Sequence, residues 1–217
     1  MSVSDQQAMW DQKHAAHEHA SVAGRPRELA EELAPRLTAG QKLLELGCGV
    51  GSDARYFADL GLDVTATDFS RVVIEQNQAN PMPANLRFAV LDMTQPFSYA
   101  ADVFDVVYAH LSLHYYDQAV TQAVVAEIAR VLKPGGALYF SCKSVHDPKY
   151  GDGSEVQPGV FERQGHLRHF FSMDYTKTLL AKDFKVVRLV ETEGTYSDGK
   201  SAFIECWAQK RAARSAS

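Results

Sequence analysis

The stretch "LLELGCGVG", Leu43–Gly51, sets an apolar strand directly before three alternating glycines. Glycine contributes no packing and loses the most backbone freedom on folding, so three of them beside a buried strand need a cause. A glycine-rich turn between a first strand and the following helix supplies one. It brings backbone N–H groups and a helix N-terminus up to a ligand.

Outward from this turn, strand and helix alternate. "KLLEL" leads into a helix from Ser52 with Ala54, Phe57, Ala58 and Gly61 on one face, then into a strand "DVTATD". Ser70 caps "RVVIEQNQ", a helix that runs until Pro81. Strands "LRFAVLD" and "FDVVYAHLS" follow, then a helix carrying Val120, Val124, Ile128 and Val131 that "KPGG" stops. The next strand, "ALYFSCK", is almost wholly apolar or small, as expected when both faces are covered. A helix over Met173 to Ala181 precedes "KVVRLVETE" and "SAFIECWAQ", which "GTYSDGK" joins as an antiparallel hairpin. These spacings predict βαβ units and an α/β fold with a parallel, doubly wound sheet.

Two regions depart from the alternation. Residues 1–40 read as two helices, over 4–20 and over Arg27 to Leu37, separated by "GRP". Residues 145–171, "VHDPKYGDGSEVQPGVFERQGHLRHFF", mix Gly, Pro and charge without a sustained period. An irregular segment this long in a compact domain reads as a substrate loop or lid. The expected organisation is therefore an N-terminal helical cap over 1–40 and a domain over 41–217 that carries the 145–171 insertion.

Composition narrows the function. A chain of 217 residues with 46% hydrophobic residues can bury one substantial core. Its net charge of −5 disfavours a nucleic-acid partner, and the basic tail "KRAARSAS" reads as a frayed end. Three scattered cysteines, Cys48, Cys142 and Cys206, read as reduced thiols, and the polar start reads as no signal peptide. No apolar run reaches the roughly 20 residues of a membrane span. A cytoplasmic protein with a small-molecule substrate is the expectation, as a monomer or homodimer.

The turn's spacing, Gly47-x-Gly49-x-Gly51, is not the GxGxxG of dinucleotide binding. Glu45 also stands two residues before the first glycine. A carboxylate there repels a pyrophosphate but suits a ligand with an ammonium and a sulfonium. The local chemistry favours S-adenosylmethionine over NAD.

Here the chain resembles the class I S-adenosylmethionine-dependent methyltransferases. "ELGCGVG" is similar to their first motif, and Asp68 in "TATDFS" and Asp92 in "VLDMTQPF" stand where acidic residues end the second and third strands. "FD" at Phe104-Asp105 and "LKPGG" at Leu132–Gly136 complete the series. The resemblance implies a Rossmann-like sheet of seven strands with the last one antiparallel. It further implies that Asp68 binds the ribose hydroxyls with Phe69 and Ser70 beside it, and that Asp92 and Met93 hold the adenine. Glu45 and the Gly47, Cys48, Gly49 and Gly51 backbone would hold the methionine end, and His110 and Leu111 would flank the sulfonium. Cys48 reads as a small spacer, not a nucleophile. Trp10 is either a core anchor or part of a cofactor lid. "AHLSLHYYD" and "GHLRHFFS" resemble the tellurite-resistance and thiopurine types within that family.

On the acceptor side the candidates are His114, Tyr115, His166, Arg168 and His169. His166, Arg168 and His169 could form an anion-recognising cluster or a base, or be solvent-facing loop residues. His14, His17 and His19 have metal-like spacing without a converging Cys or acidic partner, so a solvated helix face is expected and no metal site. The expected reaction is methyl transfer to a small thiol, chalcogen oxyanion, amine or hydroxyl. The competing readings are a protein or RNA methyltransferase and a non-catalytic cofactor-binding regulator.

Overall fold

Leu43, Leu44 and Leu46 are fully buried in β1 (Lys42–Leu46), the strand that enters the glycine turn. The computed structural model describes residues 3–16, 24–196 and 199–212. They fall into two compact units, residues 1–97 with 104–108, and residues 98–103 with 109–217.

The first unit opens with α1 (Val3–Ala15) and α2 (Glu28–Leu33). α1 ends five residues before the expected end of that helix, at Ala15; the expected residues 17–20 lie outside those described. The second expected helix is α-helical only to Leu33 and tightens to a 3-10 turn over Ala34–Arg36. Pro35 lacks the N–H that continuing the helix would require. After β1 come α3 (Ser52–Asp59), β2 (Asp63–Asp68), α4 (Arg71–Gln78) and β3 (Leu86–Val90). β1 pairs in parallel with β2, and β2 with β3. Ser70 caps α4 by accepting the Val73 amide, as its place in the sequence predicts.

β4 (Phe104–His110) carries the chain between the units. The second unit continues through a 3-10 turn (Leu113–Tyr115), α5 (Gln118–Val131) and β5 (Leu132–Lys143). Asp117 caps α5 by accepting the Val120 amide. The strand begins directly after the helix, so "KPGG" belongs to β5 rather than to a loop. Pro134 disfavours helix at Lys133, and Gly135 adopts φ +78°.

Residues 145–171 are not irregular throughout. They contain β6 (Ser154–Gln157), β7 (Val160–Arg163) and β8 (His166–His169), a small antiparallel sheet of its own. Tyr150, Phe161 and Phe170 pack edge to face behind it, with ring centroids 5.1–5.8 Å apart. α6 (Met173–Leu180) precedes the long hairpin of β9 (Phe184–Tyr196) and β10 (Gly199–Lys210). Most of the expected link "GTYSDGK" thus lies within the two strands.

The main sheet has seven strands in the order β3-β2-β1-β4-β5-β10-β9. β10 runs antiparallel to both β5 and β9, as the resemblance implies. β9 forms one edge, and between Trp207 and Ala208 its register shifts. Trp207 faces Arg188 and Ala208 faces Val186, so Val187 is one residue too many and is 47% exposed. No helix among the described residues is long and apolar enough to cross a membrane.

Candidate functional site

In the first unit, the glycine turn is built by its neighbours. The Gly47 and Cys48 amides both donate to the Thr67 carbonyl, at 2.8 and 2.9 Å. The Gly49 amide donates to Asp68 Oδ2 at 2.9 Å, and Asn77 Nδ2 donates to the Gly49 carbonyl at 2.8 Å. All three glycines have positive φ: 78° at Gly47, 50° at Gly49 and 76° at Gly51. The last two differ in what surrounds them. A Cβ on Gly51 would meet Asn77 Oδ1 at 2.6 Å and the Phe88 ring at 2.8 Å, whereas one on Gly49 would meet nothing within 4 Å. Gly51 lets α3 pack closely; Gly49 leaves the turn open.

Glu45 sits at the end of β1, between Ala66 of β2 and Tyr108 of β4. It is 3% exposed, and its Oε2 has no hydrogen-bond partner among the described residues. Asp53, in the first turn of α3, accepts from the Tyr108 hydroxyl at 2.8 Å and from the Arg27 amide at 2.7 Å. Burial, reinforced by the Asp53 and Asp68 carboxylates, pushes the Glu45 carboxyl well up. Burial also raises Asp53 and Asp68. An acidic group with an orphaned oxygen is costly in a dry site, and a cationic group placed there would relieve it. The Cys48 thiol is buried and raised by desolvation and by the Asp68 and Glu45 carboxylates, which suits a spacer and not a nucleophile.

Asp68 ends β2 and accepts from the Ser70 amide with Oδ1, at 2.9 Å, besides its bond to Gly49. α1 packs on α4 at this point. Its Asp11 Oδ1 accepts from Ser70 Oγ at 2.5 Å and from the Val72 amide at 3.3 Å, and Gln7 Nε2 donates to the Phe69 carbonyl at 3.1 Å. Trp10 is half-buried, 6.1 Å from the His14 ring, with Lys13 Nζ 5.0 Å from its centroid. It is therefore not a core anchor. His14 is buried rather than on a solvated face, and His17 and His19 lie outside the described residues. Asp92 Oδ1 accepts from the Thr94 amide and hydroxyl at 2.8 and 2.7 Å, beside the buried Met93.

In the second unit, His110 Nδ1 lies 2.7 Å from Ser141 Oγ, and Leu111 holds φ +51° while its amide donates to the Ser141 carbonyl at 3.0 Å. A non-glycine residue in that region marks backbone held under constraint. His114 is 1% exposed, its ring 4.3 Å from that of Tyr115, and its Nδ1 has no partner among the described residues. Burial, with Arg168, Lys143 and other cationic neighbours, holds the imidazole well below its usual range.

β8 packs against the 3-10 turn that carries His114. Strand alternation separates the expected cluster: His166 and Arg168 share one half-exposed face, and His169 points to the other. His169 is buried, 3.4 Å from Thr121 Oγ1 and 4.7 Å from the Phe171 and Tyr175 rings. Burial lowers its pKa to about 4. These three are strand residues, not a solvent-facing loop.

Sequence reasoning missed Lys143, at the carboxyl end of β5. Its Nζ donates to Asp147 Oδ2 at 2.9 Å and to Ser201 Oγ at 2.7 Å, in a buried network. A lysine closing an apolar strand, with an aspartate four residues on, was the available signal. Asp53 and Tyr108 were missed as well, because nothing local marks them as a pair.

Residues 44–140 match a protein family described as a methyltransferase domain. Over that stretch the chain is similar to methyltransferase domains. An uncharacterised methyltransferase of Synechocystis sp. is 27% identical over 177 residues, covering 80% of this chain and 79% of that protein. Methyltransferase phqN of Penicillium fellutanum is 31% identical over 158 residues, covering 69% of this chain and 48% of its own length. The chain spans about half the length or less of phqN, of two malonyl-[acyl-carrier protein] O-methyltransferases and of a wheat phosphoethanolamine N-methyltransferase that it also matches. A crystal structure of an S-adenosylmethionine-dependent methyltransferase from Methanosarcina mazei has the same fold, with a TM-score of 0.74 at 21% identity. It covers 87% of this chain and 100% of that one.

Proposed function

We propose that this protein transfers the methyl group of S-adenosylmethionine to a small-molecule acceptor. One observation carries the reading: a buried glutamate with an orphaned oxygen, reinforced by two further carboxylates, beside a glycine turn with open space at Gly49. A sulfonium donor with an ammonium group supplies the missing positive charge, whereas a dinucleotide would add phosphate charge to a site already acidic. When bound, the cofactor supplies an electrophilic methyl group.

In this reading Glu45 and the Gly47, Cys48 and Gly49 backbone hold the methionine end, while Gly51 acts through packing. Asp68 serves the ribose with Phe69 and Ser70, and Asp92 with Met93 serves the adenine. Trp10 on α1 covers the cofactor, and His110 and Leu111 approach the reacting carbon. His114, Tyr115, Arg168 and Lys143 form the acceptor side, with His166 at its exposed edge. The burial of His114 and Lys143 supports a small acceptor rather than a macromolecular surface. In-line displacement from a sulfonium rests on alignment and on excluding water, for which buried polar groups are suited.

Thermal unfolding with S-adenosylmethionine and with NAD tests this reading. Ligands that bind only the native state raise the melting temperature by mass action. S-adenosylmethionine should raise it and NAD should not, and Glu45→Gln should reduce the rise. Equal shifts with both ligands would remove the basis of the proposal.

A further inference from the structure

The acceptor side of the second unit carries an uncompensated cation. Lys143 is neutralised by Asp147 at 2.9 Å, inside a network closed by Ser201. Arg168 has no such arrangement. On the half-exposed face of β8 it makes no side-chain hydrogen bond or ion pair with any described residue. Its positive field reaches both His114 and Lys143 and disfavours their protonated forms. On the turn against which β8 packs, His114 is buried and its Nδ1 has no partner among the described residues. A guanidinium with no described counter-ion, on a strand packed against a buried imidazole whose Nδ1 has no described partner, is complementary to an anion with more than one acceptor atom. A carboxylate meets both, since its two oxygens match the parallel N–H groups of arginine.

We propose that the methyl acceptor is a small carboxylic acid that reacts as its anion against Arg168 and His114. The inference rests on the function proposed above and adds the reacting atom. A carboxylate oxygen uses a lone pair to form the new C–O bond. The C–S bond of the donor breaks with its electron pair going to sulfur, which becomes a neutral thioether, and the acceptor leaves as a methyl ester. One positive and one negative charge are consumed, and no proton moves.

The surroundings favour this proton-free route. A neutral alcohol or an ammonium would have to lose a proton to a base such as His114. The residues facing His114, namely Arg168, Lys143, His110 and His169, all make it a poorer proton acceptor. Of these, the Arg168 guanidinium carries a charge with no described counter-ion, which stabilises an ionised acid.

The test uses labelled S-adenosylmethionine with a series of alkyl and aryl carboxylic acids, matched against their amides, alcohols and thiols. Label should enter base-labile methyl esters, at a rate that follows the acid's own ionisation. Arg168→Gln should raise the Michaelis constant for acids roughly tenfold or more, and Arg168→Lys should restore part of it. S-adenosylmethionine affinity should stay unchanged in both. As a binding counterpart, benzoate should raise the melting temperature of the wild type loaded with S-adenosylhomocysteine, and this rise should vanish in Arg168→Gln. Faster methylation of thiols, amides or alcohols, or equal shifts with benzoate and benzamide, would overturn the inference while leaving the methyltransferase reading intact. Failure to bind S-adenosylmethionine at all would overturn that reading itself.

Discussion

Asp68 accepts the Gly49 amide at 2.9 Å, so the residue that ends β2 also sets the conformation of the turn that follows β1. Its other oxygen takes the Ser70 amide at the start of α4. One carboxylate thus ties together three elements before any ligand arrives.

Asp68→Ala should therefore affect the ligand-free protein as well as the complex. Losing hydrogen bonds to a charged acceptor costs about 1.5–3 kcal/mol. Urea denaturation should show a loss of that order, and calorimetry a fall in S-adenosylmethionine affinity of roughly tenfold or more. An affinity loss with wild-type stability would mean that the Gly49 bond contributes nothing to folding.

Glu45 links cofactor binding to protons. Its carboxyl is raised in the folded state by burial and by Asp53 and Asp68, and Asp53 in turn accepts from the Tyr108 hydroxyl and the Arg27 amide. A raised carboxyl contributes stability below its unfolded pKa, roughly 4.3, and loses it as pH rises through the folded value. Ligand-free stability should fall over that interval, and Glu45→Gln should flatten the fall. A cationic ligand reverses the shift, so binding of S-adenosylmethionine should release protons at pH values between the unfolded and the raised folded pKa. Calorimetry in buffers of different ionisation enthalpy reads this directly; identical heats would contradict it.

The second and third glycines of the turn should respond differently to a methyl group. Gly51→Ala combines positive φ with contacts of 2.6 and 2.8 Å to Asn77 and Phe88. It should cost about 2–4 kcal/mol, from overpacking and backbone strain together. Gly49→Ala meets no neighbour and should cost about 1 kcal/mol, from φ alone. Its larger effect should be on cofactor affinity. Equal melting temperatures for the two variants would contradict the separation of roles.

His169 should make the second unit acid-sensitive. Burial depresses its pKa to about 4, against the Tyr116 backbone bond and the Asp117 charge, which act the other way. A depressed base leaves stability intact above its unfolded pKa of roughly 6.5, and that stability is lost as pH falls toward the folded value. Urea midpoints should drop between about pH 6.5 and 4, and His169→Gln should reduce the slope. His114, also depressed, acts in the same direction. A slope unchanged in the variant would assign the sensitivity elsewhere.

The main sheet was legible because each strand is an apolar run bounded by a turn or a cap, and the caps at Ser70 and Asp117 are short-range signals. The three strands between Ser154 and His169 were not legible. Each is only four residues long, and their aromatic support comes from Tyr150, Phe161 and Phe170 together, which no single window contains. On the site, local chemistry pointed to Glu45 and the glycines, and the family resemblance to Asp68 and Asp92. Neither could show that Asp68 builds the turn, because that bond joins residues 19 apart. Nor could they place His169 and Arg168 on opposite faces, since reading alternation first requires knowing that the segment is a strand.

The surplus residue at Val187 bears on how the chain behaves among copies of itself. The outermost strand of an open sheet offers a row of free amide and carbonyl groups, a template on which another chain can crystallise into fibrils. That row is regular only while the spacing holds. At Val187 the bulge breaks it and adds local twist, and the exposed Lys185 and Arg188 bring charge to either side. An incoming strand would lose alignment there after a few residues, so the irregularity that leaves a valine in water also guards the fold against templated aggregation.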